Sequence, residues 1–256
     1  MNLTQPGKSA LQKILVLAHQ SNPILAALET KTNRLGIAVY CASSLSELRL
    51  TAVEDGATTT TKIEHLHDRD SHLEWAAIYN FQSAYSFGAL DPFSQSEQAA
   101  LIWSVLAAAK CMVVPRPTEM GPNPGSDLTA VISAVNSCHW RYIGSITSDT
   151  KKHSFASSIG SRCHTIDRHW APSVFAFLVV DGSYVPISST AEATDWESHA
   201  QELTDSLRTA GVTFGLCYAA MRGEEPCLVA FDAWPSDELL SHIADRAADR
   251  LLGGIR

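Results

Sequence analysis

The fold of this 256-residue chain follows from two apolar runs near its end, Phe214-Gly-Leu-Cys-Tyr218 and Leu228-Val-Ala-Phe-Asp-Ala-Trp-Pro235. Each run is too short for a buried helix and is bounded by turn-forming residues, so each predicts a strand. We expect these strands over Val212–Tyr218 and Cys227–Phe231. A closing helix is expected over Ser236–Leu252, because leucine, isoleucine and alanine recur there at helical spacing.

A hairpin and a helix precede these two strands. Asp181-Gly182 separates two apolar runs, Val174–Val180 and Ser183–Ile187, and both turn residues tolerate a positive φ, which is typical of a two-residue hairpin. Asp195–Ala210 has an apolar face at helical spacing and is followed by Gly211. The order hairpin, helix, strand, strand, helix predicts an α+β unit with an antiparallel sheet.

The first half of the chain alternates short apolar runs with helical patterns. Pro23 suits the first turn of a helix that Gly36 ends, and Ser94 with Glu97 forms a capping box for a second helix. This alternation predicts parallel strands joined by crossover helices. The expected strands are Lys13–Ala18, Ile37–Cys41, Ala76–Tyr79 and Cys111–Val114.

The expected fold class is therefore α/β, with a small parallel α/β domain followed by an α+β domain. The Pro/Gly-rich loop Gly121-Pro-Asn-Pro-Gly125 suggests the boundary, which gives domains 1–120 and 121–256. One helix is expected near the end of the first domain, after Ser94. Another is expected at the start of the second domain, over Asp127–Val135.

Composition excludes several functional classes. The net charge of −8 disfavours nucleic-acid binding, and no apolar run is long enough to cross a membrane. The beginning of the sequence lacks the pattern of a signal peptide. The six cysteines are dispersed without a C-x-x-C pair, which favours reduced thiols. We expect a cytoplasmic protein.

Four segments together resemble the ATP-grasp ligases of the glutathione-synthetase and glutamate-ligase branch. Ser96-Glu97 through Cys111-Met-Val-Val-Pro-Arg-Pro117 is similar to the end of the family's N-terminal domain. Ile146-Thr-Ser-Asp149 is similar to its Thr-x-Asp element, and the two C-terminal strands are similar to its catalytic strands. The resemblance implies a pre-ATP-grasp-like domain followed by an ATP-grasp-like domain.

The metal ligands that the resemblance implies are largely missing. ATP-grasp chemistry activates a carboxylate as an acyl phosphate and needs magnesium, which prefers oxygen ligands. The family's metal-binding Asp, Glu and Asn fall on Tyr218, Ala230 and Asp232 of this chain. Only Asp232 keeps an oxygen suited to magnesium, so no catalytic residue is assigned and no cofactor is expected.

The sequence also lacks room for the family's nucleotide-clamping subdomain. Residues 150–173 contain Lys151 and Lys152 but no Gly-rich run that could cover phosphates. We expect a degenerate ATP-grasp-like protein that acts as a non-catalytic partner or substrate-binding subunit in a biosynthetic or peptide-modification assembly. The alternative is an ATP-dependent carboxylate–amine ligase with a minimal site of Asp232, Lys151 and Lys152, which would use ATP and magnesium.

Polar residues follow the predicted parallel strands at their carboxyl ends. Ligands of open α/β sheets bind at these ends, so His19, Asn22, Asn80 and Arg116 are candidate substrate-binding residues. Arg116 stands between two prolines and could pair with a small carboxylate ligand or a phosphate. A sheet face exposed by the missing subdomain would need cover, which favours a protein partner or a homodimer.

Two histidine-containing patterns leave alternatives open. His65, His67 and His72 stand close together with Asp68 and Asp70, which suggests either a metal site or a solvated helix start. The pairs Cys138-His139 and Cys163-His164 suggest either zinc ligands or buried thiols beside surface histidines.

Overall fold

The computed structural model describes residues 12–55, 58–82, 91–118, 123–143, 153–154, 165–166, 174–187 and 190–255. The chain forms two compact units, Met1–Val113 with Ile255–Arg256, and Val114–Gly254. The functional division into domains 1–120 and 121–256 stays a prediction. In the described part of the chain, none of the helices has the length and apolar character that a membrane crossing requires.

The first unit is built on a parallel sheet, as predicted. The sheet has the order β2 (Ile37–Ala42), β1 (Gln12–Leu17), β5 (Trp75–Asn80) and β6 (Met112–Val114), and β1 pairs in parallel with both β2 and β5. Two helices alternate with these strands along the chain. The helices are α1 (Pro23–Leu35) and α2 (Pro92–Ala108).

The helices of this unit show which start signals were correctly identified. Helix α1 begins after Asn22, whose side chain caps the first turn, and ends at Gly36, whose φ of 69° is left-handed. Helix α2 begins two residues before Ser94, because the side chain of Asp91 accepts hydrogen bonds from the first-turn amides. The capping-box prediction for Ser94 and Glu97 is therefore wrong.

A hairpin that the sequence analysis did not anticipate lies between β2 and β5. Its strands, β3 (Leu48–Asp55) and β4 (Thr58–His65), pair antiparallel. Their many threonines favour strand structure but do not give a clear apolar alternation. Ile63, Leu48 and Leu50 pack into the core of this unit, so the hairpin is part of the fold.

The second unit is built on a mixed sheet of order β11 (Ser183–Pro186), β10 (Phe175–Val180), β12 (Phe214–Arg222), β13 (Glu225–Asp232) and β7 (Arg141–Tyr142). Its pairs are antiparallel except that β7 runs parallel to β13. The tight hairpin was predicted correctly, since Asp181 and Gly182 have φ angles of 43° and 76°.

Two short strands, β8 (His153–Ser154) and β9 (Thr165–Ile166), pair as a separate antiparallel ribbon. They are the only described residues between 144 and 173. Of residues 140–147 the structure describes 140–143, and Arg141 and Tyr142 among these form strand β7. Ile146–Asp149, Lys151, Lys152, Cys163 and His164 lie outside the described residues, as does most of the segment expected to replace the nucleotide-clamping subdomain.

Helices cover the second sheet. Helices α3 (Leu128–Ser137) and α4 (Thr190–Thr209) pack against one face, where Val135 and Leu203 join a buried cluster with Phe177. The closing helix is interrupted into α5 (Asp237–Ser241) and α6 (Ala244–Gly253), so the prediction of one continuous helix is wrong. The chain leaves helical geometry at the buried Ile243, after a turn with i to i+3 hydrogen bonds.

Candidate functional site

The two C-terminal strands bring the positions of the implied metal ligands together. Tyr218 of β12 lies directly opposite Ala230 of β13, and Leu216 lies opposite Asp232. Cys217 belongs to the hydrophobic core on the face of the sheet that α3 and α4 cover. Because side chains alternate along a strand, Tyr218, Ala230 and Asp232 project from the other face of the sheet.

A buried loop holds the ends of these strands. The side-chain amide of Asn123 donates hydrogen bonds to the carbonyl of Phe214 at 3.2 Å and to that of Ala233 at 2.9 Å. Its oxygen accepts one from the amide of Gly125 at 3.0 Å. Asn123 is fully buried, so this clasp links the loop before α3 to the start of β12 and the end of β13.

Only one of the three positions carries a carboxylate. Tyr218 and Ala230 are each 3% exposed, whereas Asp232 is half-buried at the end of β13. One oxygen of Asp232 accepts a hydrogen bond from the amide of Trp234 at 3.0 Å. Among the described residues, no group of three His, Cys, Asp or Glu side chains could hold a metal ion. These three positions therefore present a single carboxylate, that of Asp232.

The candidate substrate-binding residues of the first unit lie at the carboxyl edge of the parallel sheet. Asn80 ends β5 and is fully buried, and Asn22 uses its side-chain oxygen to cap α1. The His19 ring is exposed, with Nδ1 2.8 Å from the hydroxyl of Ser21. Gln82, which the sequence analysis missed, donates to the carbonyls of Ala42 and Ser43, each at 3.2 Å. Several polar side chains at this edge, such as Asn22 and Gln82, therefore make hydrogen bonds that stabilise the fold.

Arg116 belongs to the second unit and is half-buried. It follows the cis peptide bond between Val114 and Pro115. Its role toward a carboxylate or phosphate stays a prediction, as do the roles of His19, Asn22 and Asn80.

The acidic residues of the histidine-rich segment form a buried ion pair. Lys13 Nζ lies 2.6 Å from Asp68 Oδ2, and the two side chains are 4% and 7% exposed. The ammonium also lies 4.3 Å from the centre of the Trp75 ring, within range of a cation–π interaction. The Tyr40 hydroxyl donates to Asp70 at 2.7 Å, and burial raises the pKa of that hydroxyl. Asp68 and Asp70 therefore anchor the segment to the sheet.

The histidines of this segment do not converge. His65 ends β4, with Nε2 2.9 Å from the carbonyl oxygen of Cys41 and Nδ1 accepting from the amide of His67 at 3.2 Å. Both ring nitrogens of His65 are therefore engaged in hydrogen bonds. His67 and His72 are exposed, and the described residues contain no three-ligand cluster. The expectation of a solvated helix start is wrong, because residues 66–74 form turns.

An open pocket of about 590 Å³ lies on the second unit, and the sequence analysis did not identify it. His139, predicted as one of a Cys-His pair, approaches Glu202 here, with Nδ1 3.1 Å from Oε1. The Cys138 thiol donates to the carbonyls of the last turn of α3, and burial raises its pKa. These contacts favour a packed thiol beside a surface histidine over a zinc ligand pair.

Comparison with known proteins finds no matching family model and no matching curated protein. Solved structures do match. A Chryseobacterium gregarium RiPP-associated ATP-grasp ligase in complex with ADP and a leader and core peptide has 11% identity and a TM-score of 0.59, covering 95% of this chain and 97% of that chain.

Two macrocyclases from Microcystis aeruginosa MRC are also similar. MdnC, bound with the precursor peptide MdnA, has 11% identity and a TM-score of 0.57, covering 94% of this chain and 100% of the other. MdnB has 14% identity and a TM-score of 0.53, covering 93% and 99%. The chain therefore has an ATP-grasp-like α/β fold, with a parallel sheet and a mixed, mainly antiparallel sheet, as the sequence resemblance predicted.

Proposed function

We propose that this protein is a non-catalytic ATP-grasp-like subunit that binds a peptide or protein within a peptide-modification assembly. The observation that carries the proposal is the pairing of Tyr218 with Ala230. At the two positions where the family resemblance implies a metal-binding Asp and Glu, the strands present a buried phenol and a methyl group. Neither supplies the anionic oxygen that magnesium needs beside a nucleotide.

The remaining carboxylate does not replace these ligands. Asp232 is a lone carboxylate and already accepts the amide of Trp234. A magnesium ion that bridges phosphates requires near-octahedral oxygen coordination, and of the three protein ligands that the family resemblance implies this chain keeps only Asp232. With this fold and these side chains, the chain is better suited to binding a peptide or a protein than to transferring a phosphoryl group.

The solved neighbours support a peptide as partner. Two of them are described in complex with a leader and core peptide or with a precursor peptide. A peptide is therefore the class of partner that we propose first. A protein partner or a second copy of the chain would serve the same assembly role.

Calorimetric titration of the full chain with ATP and magnesium tests the loss of catalysis. We expect no binding heat up to millimolar ATP, because the three implied metal-ligand positions offer a single carboxylate, that of Asp232. Micromolar binding would contradict the proposal. Affinity purification from the source cells, followed by mass spectrometry, tests the partner: a short peptide or a ligase subunit should co-purify in stoichiometric amount.

A catalytic alternative is favoured by the shared fold, since the Chryseobacterium neighbour is a ligase described with ADP. In that case the chain would be an ATP-dependent carboxylate–amine ligase that uses Asp232. It would release ADP in a magnesium-dependent reaction with a peptide substrate, and Asp232→Asn would abolish the release. Undiminished ADP release by Asp232→Asn would exclude this minimal site.

A further inference from the structure

Helix α2 of the first unit is apolar on its outer face as well as on its inner one. Its inner face packs Ile102, Val105 and Leu106 into the core of that unit. On its outer face, Phe93 is 70% exposed and Leu101 is 40% exposed. An ordinary surface helix presents polar and charged side chains to water on that side. The outer face of α2 therefore has the composition of a surface that another protein covers.

The exposed residues of this face form one stripe along the helix. Because successive residues turn by about 100°, six positions lie within about 50° of a common line along α2. All six are exposed, and they are Phe93, Glu97, Ala100, Leu101, Ser104 and Ala108. We call these six residues the α2 stripe. Four of the six are apolar, and Glu97 is the only charged residue of the 17-residue helix.

The α2 stripe is complementary to itself in an antiparallel arrangement. A two-fold axis that passes between Ala100 and Leu101 would place these two residues opposite the same two residues of a second copy. Phe93 and Ala108 lie on either side of that axis at equal distances, each about 11 Å along the helix. The large ring of Phe93 would therefore meet the small side chain of Ala108 in the second copy, as helix packing requires.

The charges at the two ends of α2 fit the same register. Asp91 caps the start of the helix, Lys110 follows its end, and both residues are exposed. They are equally far in sequence from the point between Ala100 and Leu101. The same axis therefore brings Asp91 of one copy beside Lys110 of the other, and the symmetry forms this pair twice. A parallel arrangement would place like charges together, so the end charges favour the antiparallel one.

The single charge within the stripe also has a counterpart in this register. Glu97 would lie level with Ser104 of the second copy, whose hydroxyl can donate to the carboxylate. Within its own helix this hydroxyl donates to the carbonyl of Ala100 at 2.8 Å. A hydroxyl proton can rotate to a charged acceptor, which forms the stronger hydrogen bond.

We propose that α2 is the contact of a reversible homodimer, in which the α2 stripes of two copies pack antiparallel about a two-fold axis. The helix is about 25 Å long, and a contact of this length is small for a protein interface, so we expect a micromolar rather than an obligate dimer. The proposal names a surface and an occupant that the proposed function leaves open. It depends neither on the loss of catalysis nor on a bound peptide.

Sedimentation velocity of the full chain between about 1 and 300 µM measures the association, and we expect a dissociation constant of roughly 10–100 µM. Ala100→Glu places two like carboxylates beside the two-fold axis, so it should weaken the dimer at least about tenfold. Gln98→Glu is the matched control, because Gln98 is an exposed residue of the same helix outside the α2 stripe. It should change the dissociation constant by less than about twofold, since its charge stays in water. Circular dichroism verifies that both variants are folded.

Asp91→Asn and Lys110→Gln test the register. Asparagine keeps the cap of the helix and removes the charge, so the monomer is little affected. Each single substitution should weaken the dimer about threefold, through the loss of two exposed ion pairs. The double variant should be no weaker than either single variant, because the first substitution has already broken the pair.

Any of four results would overturn the proposal. They are a monomer up to about 300 µM, a dimer that Ala100→Glu leaves unchanged, equal effects of Ala100→Glu and Gln98→Glu, and additive effects of Asp91→Asn and Lys110→Gln. A monomer that loses a cellular partner on Ala100→Glu would assign the stripe to another protein. The measurement uses neither ATP nor a cellular partner. A dimer together with micromolar ATP binding would support this inference and contradict the proposed function, whereas a monomer with a co-purified peptide and no ATP binding would do the opposite.

Discussion

Replacing Asn123 by alanine should destabilise the second unit through the loss of three buried hydrogen bonds. The amide donates to the carbonyls of Phe214 and Ala233, and its oxygen accepts from Gly125. Each bond contributes about 1 kcal/mol net, and the side chain is fully buried, so we expect a loss of about 3 kcal/mol. For a unit of this size the melting temperature should fall by about 6–12 °C.

Thermal unfolding monitored by circular dichroism measures this loss. Asn136→Ala is the matched control, because Asn136 is exposed on α3 in the same unit, and its replacement should cost less than about 0.5 kcal/mol. Asn123→Asp keeps the acceptor for Gly125 but removes both donated bonds, so it should also be strongly destabilising. A loss below about 1 kcal/mol for Asn123→Ala, or one equal to that of the control, would refute the clasp.

Three further predictions follow from other contacts. Gly215→Ala should destabilise by about 1–3 kcal/mol in chemical denaturation, because a methyl group there would overlap the ring of Phe231. Lys13→Met should cost about 3–5 kcal/mol by leaving Asp68 charged and buried, and adding Asp68→Asn should recover most of the loss. Burial raises the pKa of Cys41 from 9.0 to about 11, so its alkylation at pH 8 should be about 100-fold slower than in an unfolded peptide.

Two elements with a strong local signal were predicted correctly. The hairpin at Asp181-Gly182 and the ends of α1 at Pro23 and Gly36 are set by residues adjacent in sequence, and the structure shows the expected geometry. The hairpin of β3 and β4 was missed because threonine repeats hide its apolar side, which only tertiary packing of Ile63 reveals.

The candidate site was predictable to the extent that it lies within paired strands. Tyr218 and Ala230 were identified from the family resemblance, and their pairing follows once β12 and β13 are adjacent. The open pocket of the second unit was not predictable, since His139, Glu202 and Glu224 come from segments that only the tertiary fold brings together. The buried ion pair of Lys13 was missed for the same reason.

The Asn123 clasp also has a consequence for the order of folding. Asn123 and Ala233 are 110 residues apart in sequence, and closing a loop of this length costs roughly 4 kcal/mol of chain entropy. The clasp's own bonds cannot offset that cost, so they form only after β12 and β13 have joined the sheet. We therefore predict that the clasp forms after the folding transition state, so that its loss accelerates unfolding and leaves the refolding rate nearly unchanged.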